Sequence, residues 1–346
     1  ILFGGDGTLT ENYIRPDEIY GGPGDDYING QEANDLLVGN SGHDYIFGGT
    51  GDDVIYGDDK PLGSDGGDII ITSPNGSNDG NDVLQGNQGN DKIYAGGGND
   101  IVRGGKDNDE LYGDSGDDLL AGGEGADKLD GGIGKDTLDY SGSNSSVVID
   151  LHNKKASGGH AEGDTFVNME SIIGSNYPDE LKGDDGANDI QGNDGDDKIF
   201  GGKGNDVLQG NKGNDEIHGG QNDDLIRGDE GDDKLYGDKG KDVLYGGSGT
   251  NILEGGDDDD TLMAQQGKNT LTGGSGKDVF YIGKDVEEVI ITDFNDNEDT
   301  INLSEWNTGN PNATITVQRD VTQNKDTVIA LSDTQKLIIQ NSQPST

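Results

Sequence analysis

Between residues 21 and 281 the chain repeats a nine-residue pattern, and so short and strict a period leaves a polypeptide few folds to choose from. The cleanest copies, such as GGKGNDVLQ at residues 201–209, read GGxGxDxUx, where U is a large apolar residue. Twenty-two units stand in three tracts, four over 21–56, six over 86–139 and twelve over 174–281. The sixth position is Asp in 19 of the 22, the exceptions being Asn188, Asn251 and Asn269, although Asp makes up only 55 of the 346 residues. The eighth position is as strictly aliphatic, running Ile28, Leu37, Ile46, Ile55 in the first tract and Leu181, Ile190, Ile199, Leu208, Ile217, Ile226, Leu235, Leu244 in the third. Each unit therefore carries one carboxylate and one apolar anchor.

A nonamer that spends five or six residues on a glycine-rich turn keeps about three for a strand, so D-x-U-x reads as a short strand with U pointing inward. Two units close one coil of 18 residues. Stacked coils pair each strand in parallel with its equivalent in the next coil, about 4.8 Å away, and the aliphatics form a buried ladder between two sheets. Asp at i and Asp at i+18 then face one gap. Two desolvated carboxylates at that separation repel unless a cation lies between them. Glycines at positions one, two and four suit a turn of positive φ whose carbonyl oxygens aim into the same gap. Such an all-oxygen donor set in a flexible turn fits a hard cation, and Ca2+ fits better than the geometrically demanding Mg2+.

Composition without the period would place the chain near the disordered class, with 28% hydrophobic residues, 5% aromatic and a net charge of −47. A disordered acidic tail has no reason to keep Asp in phase with glycine and aliphatic columns, so the charge asks for a cation instead. Because 23 basic residues are dispersed among 70 acids, no Lys/Arg cluster exists to contact phosphates, which excludes nucleic acid and anionic membrane as partners. No apolar run approaches the roughly 20 residues of a membrane span. The opening ILFGGDGTLT has no basic n-region and reads as the start of a processed or excised piece. With no Cys, disulfides and thiolate metal sites drop out.

The units resemble the hemolysin-type calcium-binding repeats of RTX proteins, whose nonapeptide is GGxGxDxUx. The resemblance covers residues 21 to 281, and it implies an all-β fold: a parallel β-roll, that is, a right-handed two-sheet β-solenoid of 18 residues per coil, ended by a C-terminal β-rich cap. It implies further that Ca2+ is held in the turns, that export follows a type I (ABC transporter) route with its secretion machinery as a partner, and that folding happens outside the cell. Carried over unit by unit, the implied calcium ligands are Asp26, Asp35, Asp44 and Asp53 in the first tract. The second supplies Asp91, Asp100, Asp109, Asp118, Asp127 and Asp136. The third supplies Asp179, Asp197, Asp206, Asp215, Asp224, Asp233, Asp242, Asp260 and Asp278. Pairs 18 apart that are both Asp number 13, for about 13 or more Ca2+. Asn188, Asn251 and Asn269 remove a charge from their gaps; fewer filled sites are expected near Asn251 and Asn269, and weaker ones where the fourth glycine is missing, as in GGQNDD from Gly219 and GGKDND from Gly104.

The tracts divide the chain into an N-terminal edge or cap (1–20), a first β-roll block (21–139) with an insertion at about 57–85, a spacer (140–173), a second block (174–281) and a C-terminal β cap with a possible secretion signal (282–346). Within the insertion, Asp68 with Ile70 and Asp82 with Leu84 keep the D-x-U spacing, as degenerate coils would. The spacer holds strand-like stretches at 147–151 and 166–173 and resembles the longer coil between RTX blocks, with a domain boundary as the alternative reading. Past residue 281 apolar alternation takes over in VEEVIITDF, DTINLSEW, ATITVQRD, DTVIALSD and KLIIQN. Asp293, Asp296 and Asp299 there are either one more calcium site or a solvated turn.

Catalysis finds no foothold. His43, His152, His160 and His218 form no HExxH, and neither GxSxG nor GxxxxGK occurs. An enzyme would hold one unique carboxylate pair, whereas these recur every nine residues. Tyr20, Tyr56 and the other ninth-position tyrosines, with Trp306, read as surface strand residues before they read as a sugar-binding stripe. Three non-catalytic readings remain: a secreted calcium-binding structural or surface module, with self-assembly; the carboxyl-terminal export and folding tail of a larger enzyme or toxin; and a calcium-dependent adhesin that binds cell-surface glycan.

Overall fold

The eighth-position aliphatics organise everything else. In a computed structural model, which describes residues 2–3, 16–40, 42–50, 53–57, 80–295, 298–303, 314–319, 327–330 and 336–341, every one of these side chains from Ile28 to Phe280 is at most 1% exposed. Full burial of one such side chain contributes about 1.5–3 kcal/mol. The period of 18 converts that column into a parallel sheet, because Leu208 stands level with Ile190 on one side and Ile226 on the other.

The chain falls into two compact units, Ile1–Ile173 and Gly174–Thr346. In the first, one stack of parallel strands climbs from Glu18–Tyr20 through Lys92–Gly97 and Glu110–Ser115 to Thr165–Val167. The other climbs from Tyr27–Glu32 through Val83–Gln88 and Ile101–Lys106 to Ser171–Ile173. In the second unit, Glu180–Lys182, Lys198–Lys203, Glu216–Gln221, Lys234–Lys239 and Thr250–Asp257 make one stack. Asp189–Asp194, Val207–Lys212, Leu225–Glu230 and Val243–Tyr245 make the other, and the long strands Thr261–Ser275 and Val279–Phe294 carry both on, Thr261 pairing with Val243 and Lys268 with Thr250. The described residues contain strands, turns and one short 3-10 turn at Gly159–Ala161, and no α-helix. The fold is a parallel two-sheet β-roll.

The strands are longer than the three residues that turn counting predicts. Val207–Lys212 is typical at six residues and runs on through the first three positions of the next unit, with Asn193 level with Asn211 and Asp194 with Lys212. Ladder hydrogen bonding thus continues around the corner even though Asn211 sits at a φ of 75°. Asn and Asp tolerate the left-handed region better than other side chains, which is why they share position two with glycine.

The interruptions leave the register intact. Tyr45 pairs with Val83 and Val54 with Lys92, so the stacks resume after 38 residues instead of 18. Asp68 and Ile70 lie outside the described residues; Asp82 and Leu84 take their places in the columns, both buried. In the spacer, Val148–Asp150 and Lys155–Ser157 form an antiparallel hairpin. Thr314–Arg319 extends the parallel stack beyond Val279–Phe294, and Thr327–Ala330 pairs antiparallel with Lys336–Asn341. Trp306 and Asp296 fall outside the described residues. No helix is long and apolar enough to cross a membrane among the described residues.

Candidate metal centre

The sixth-position carboxylates form continuous files. The Asp197 N–H donates to Asp215 Oδ1 at 2.8 Å, and the Asp215 N–H donates to Asp233 Oδ1 at 3.0 Å. The same bond links Asp206, Asp224, Asp242, Asp260 and Asp278. In the first unit it joins Asp35, Asp53, Asp91, Asp109 and Asp127, and separately Asp26, Asp44, Asp82, Asp100, Asp118 and Asp136. One oxygen of each carboxylate is thereby used to hold the coil beneath it. The other is left over: Oδ2 of eighteen of these aspartates is buried with no hydrogen-bond partner, from Asp35, Asp44, Asp53 and Asp82 through Asp260 and Asp278. A buried carboxylate oxygen without a donor costs several kcal/mol, and one such group in a fold would already call for an explanation.

Glycine at position one shows what surrounds that oxygen. A Cβ added to Gly30 would fall against Asp35 Oδ2 and stand 2.5 Å from the Gly48 carbonyl oxygen; one on Gly174 would be 2.7 Å from Asp179 Oδ2 and 2.8 Å from the Gly192 carbonyl oxygen. Position one is glycine in 20 of the 22 units, Ala95 and Ala264 being the exceptions, because this space is crowded with acceptor oxygens. It does not take positive φ, which corrects the expectation that all three glycines share one conformational role; positive φ belongs to positions two and four. Where the fourth glycine is replaced, Asn222 (φ 79°) and Asp107 (φ 77°) keep the turn's shape.

Burial pushes these acids far up, and neighbouring column carboxylates add to it at those raised furthest. With no cation present, Asp109, Asp224 and Asp260 rise to about 8, Asp118, Asp197 and Asp215 to about 7, and Asp127, Asp206, Asp233 and Asp242 to about 6, desolvation being the largest cause in each. Among the described residues no three acidic or imidazole side chains converge on one point. Any cation here must therefore draw part of its shell from backbone carbonyls, as a hard oxygen-seeking ion does. The donor set fits Ca2+: buried, unpaired, anionic and all oxygen.

Of the nineteen aspartates singled out from the sequence, seventeen carry such an orphaned Oδ2. Asp26 is half-buried. Asp179 accepts from the Ser175 N–H and hydroxyl. Sequence reasoning left Asp82 unassigned as a ligand because it sits inside the insertion, although its D-x-U spacing was the available signal. A second ladder at position five escaped notice altogether. The N–H groups of Asn99 and Asp117 donate to Asn81 Oδ1 and Asn99 Oδ1, and Asn214 and Asp232 repeat the scheme with Asp196 and Asn214. It runs opposite to the column and reaches residues such as Lys135, Thr250 and Lys277, whose backbone N–H groups donate to it. Enrichment of Asn and Asp at position five was its signature. His43 joins this ladder by accepting the Asn81 N–H at Nδ1, 2.8 Å away.

The ninth-position aromatics stack on one another, Tyr56 on Tyr94 at 5.1 Å and Tyr94 on Tyr112 at 4.8 Å, with His218 between Phe200 and Tyr236. Tyr94 and His218 have both ring faces covered within their rows. At the C-terminal end, Asp293 accepts the Gly273 and Gly274 N–H groups, and Asp299 those of Asp278 and Asn295.

Replacing Asp215 by Ala removes the acceptor of the Asp197 N–H and the carboxylate that shares a seam with Asp233, while the backbone N–H toward Asp233 remains. Hydrogen exchange in saturating calcium should show protection falling at Asp197 and Asp233 while coils near Asp109 keep theirs. Uniform loss along the chain, or none, would contradict a column built of local links.

The family model for the RTX calcium-binding nonapeptide repeat matches residues 15–37, 29–59, 77–111, 104–138, 112–146, 173–208, 191–226, 200–235, 218–253 and 254–285, well over half of the chain. No curated protein matches it.

Proposed function

Because the chain belongs to the RTX calcium-binding repeat family, and is a calcium-binding β-roll protein, we propose that calcium in the aspartate columns is its folding switch. The column aspartates are the ligands, and the chain is a secreted, non-catalytic module that takes up its structure only outside the cell. The observation that carries this reading is the file of eighteen buried Oδ2 atoms without a donor. At micromolar calcium or below these charges repel across each seam, and a chain of net charge −47 stays open and threadable. At millimolar calcium the seams close, and the stacked coils that result suit a structural or surface role.

Export tests the secretion half. A type I exporter reconstituted in vesicles should translocate the chain when calcium on the donor side is chelated and should stall when it is raised to millimolar levels. Equal transport in both conditions, or none under chelation, would defeat this part of the reading.

A further inference from the structure

The eighteen orphaned oxygens stop short of the column ends, and at both ends of each column in the second unit and at one end in the first the protein supplies a donor of its own. In the second unit one column begins at Asp179, whose Oδ1 accepts the Ser175 hydroxyl at 2.8 Å and whose Oδ2 accepts the Ser175 N–H at 2.6 Å. Three orphaned members follow, Asp197, Asp215 and Asp233. The column then reaches Asn251, whose Oδ1 takes the Asp233 N–H at 2.9 Å while its Nδ2 donates to the Gly246 carbonyl at 3.0 Å. The other column begins at Asn188, whose Oδ1 accepts the Asp184 N–H at 2.8 Å. Five orphaned members follow, Asp206, Asp224, Asp242, Asp260 and Asp278, and it ends at Asp299, whose Oδ1 accepts the Asp278 N–H at 3.0 Å and whose Oδ2 accepts the Asn295 N–H at 2.7 Å.

The first unit closes one of its columns in the same way with different chemistry. After Asp35, Asp53, Asp91, Asp109 and Asp127 comes Asp164, 37 residues beyond Asp127, whose Oδ1 accepts the Asp127 N–H at 2.8 Å. Its Oδ2 accepts the hydroxyl of Tyr140 at 3.0 Å, and Tyr140 is 2% exposed. Tyr140 lies in the spacer, where no nonapeptide points to it.

We infer that these are terminators: Tyr140, Ser175, the Asp184 and Asn295 amides and the Asn251 carboxamide stand where a cation would otherwise be required, and they fix where each file of calcium ions ends. The inference rests on the calcium reading above and adds to it a rule for occupancy. A seam takes a cation when the column oxygen facing it has no protein donor, and takes none when a neutral N–H or O–H already points there. The physical basis is that a hydrogen bond to a neutral donor satisfies a buried carboxylate without importing charge, so a cation added beside it would be held by one oxygen fewer. Asn269 is an intermediate case, with Nδ2 donating to the Gln266 carbonyl at 2.8 Å and Oδ1 still unpaired.

The rule is tested by counting bound calcium on the full chain. Equilibrium dialysis with atomic emission should give a definite number for the wild type, and Asn251→Asp and Tyr140→Phe should each bind at least one more ion. Circular dichroism at saturating calcium checks that each variant is folded. A calcium-loaded wild type whose variants bind no more than it does would overturn the terminators, whereas a wild type that binds no calcium would instead defeat the underlying reading. Should a variant fail to fold, anomalous scattering from wild-type crystals grown in calcium decides the matter. Peaks along the interior aspartates with none beside Asp164, Asp179, Asn188, Asn251 and Asp299 are expected; peaks beside those residues would overturn the rule.

Discussion

Chelating calcium with EGTA at neutral pH is expected to erase the β-sheet circular dichroism signal and to expand the chain to the dimensions of an unfolded polymer. Extracellular calcium modules bind at about 10⁻⁴ to 10⁻³ M; at about 1 mM calcium a site with a Kd near 0.1 mM adds roughly 1.4 kcal/mol, or about 18 kcal/mol over thirteen independent sites. That exceeds the roughly 5–15 kcal/mol by which a whole domain is usually stable. The apolar ladder cannot compensate, since one aliphatic per nine residues is a thin core. The titration is read by circular dichroism and light scattering together. A spectrum and a radius that stay unchanged from nanomolar to millimolar calcium would rule out the switch.

Acid should substitute in part for the metal. In the calcium-free fold Asp109, Asp224 and Asp260 stand near 8 and Asp118, Asp197 and Asp215 near 7, all above the ordinary value of 3.8. The folded state therefore holds more protons than the unfolded state through this range, and its stability falls as pH rises. The contribution is complete below pH 3.8 and is lost as pH climbs through 6 to 8. Calcium-free protein brought from pH 8.5 to pH 5, still above the sequence pI of about 4.1, should recover β signal, and the same acidification should drive calcium off the loaded protein. Loss of β signal on acidification without calcium would reverse the sign and refute the account.

What was legible in the sequence was whatever the nine-residue period repeats. Asp in the sixth place and an aliphatic in the eighth gave the coil length, the parallel pairing and the burial of both columns, because each coil sees only its neighbours and one rule serves them all. Strand length was misjudged because the turn was counted as ending the ladder, whereas Asn211 and Asp229 carry it through at positive φ. The role of the first glycine was hidden for a similar reason: absence of a side chain looks the same whether the backbone needs the freedom or, as at Gly30, an oxygen needs the room. Tyr140 and Ser175 were illegible in principle, since each acts once, at a column end, and a single event leaves no period. The position-five ladder was readable from its excess of Asn and Asp, but the letter x in a consensus discourages looking.

The columns skip 38 residues between Asp44 and Asp82 and 37 between Asp127 and Asp164, yet the N–H to Oδ1 link is remade at 2.7 and 2.8 Å. A helix or a jelly roll given twenty extra residues must rebuild its interior; here the next rung simply waits for the chain to return. Corners of this protein are thus natural ports for foreign sequence, and its ancestors could grow by duplicating rungs or acquire passengers at a corner without renegotiating the rest.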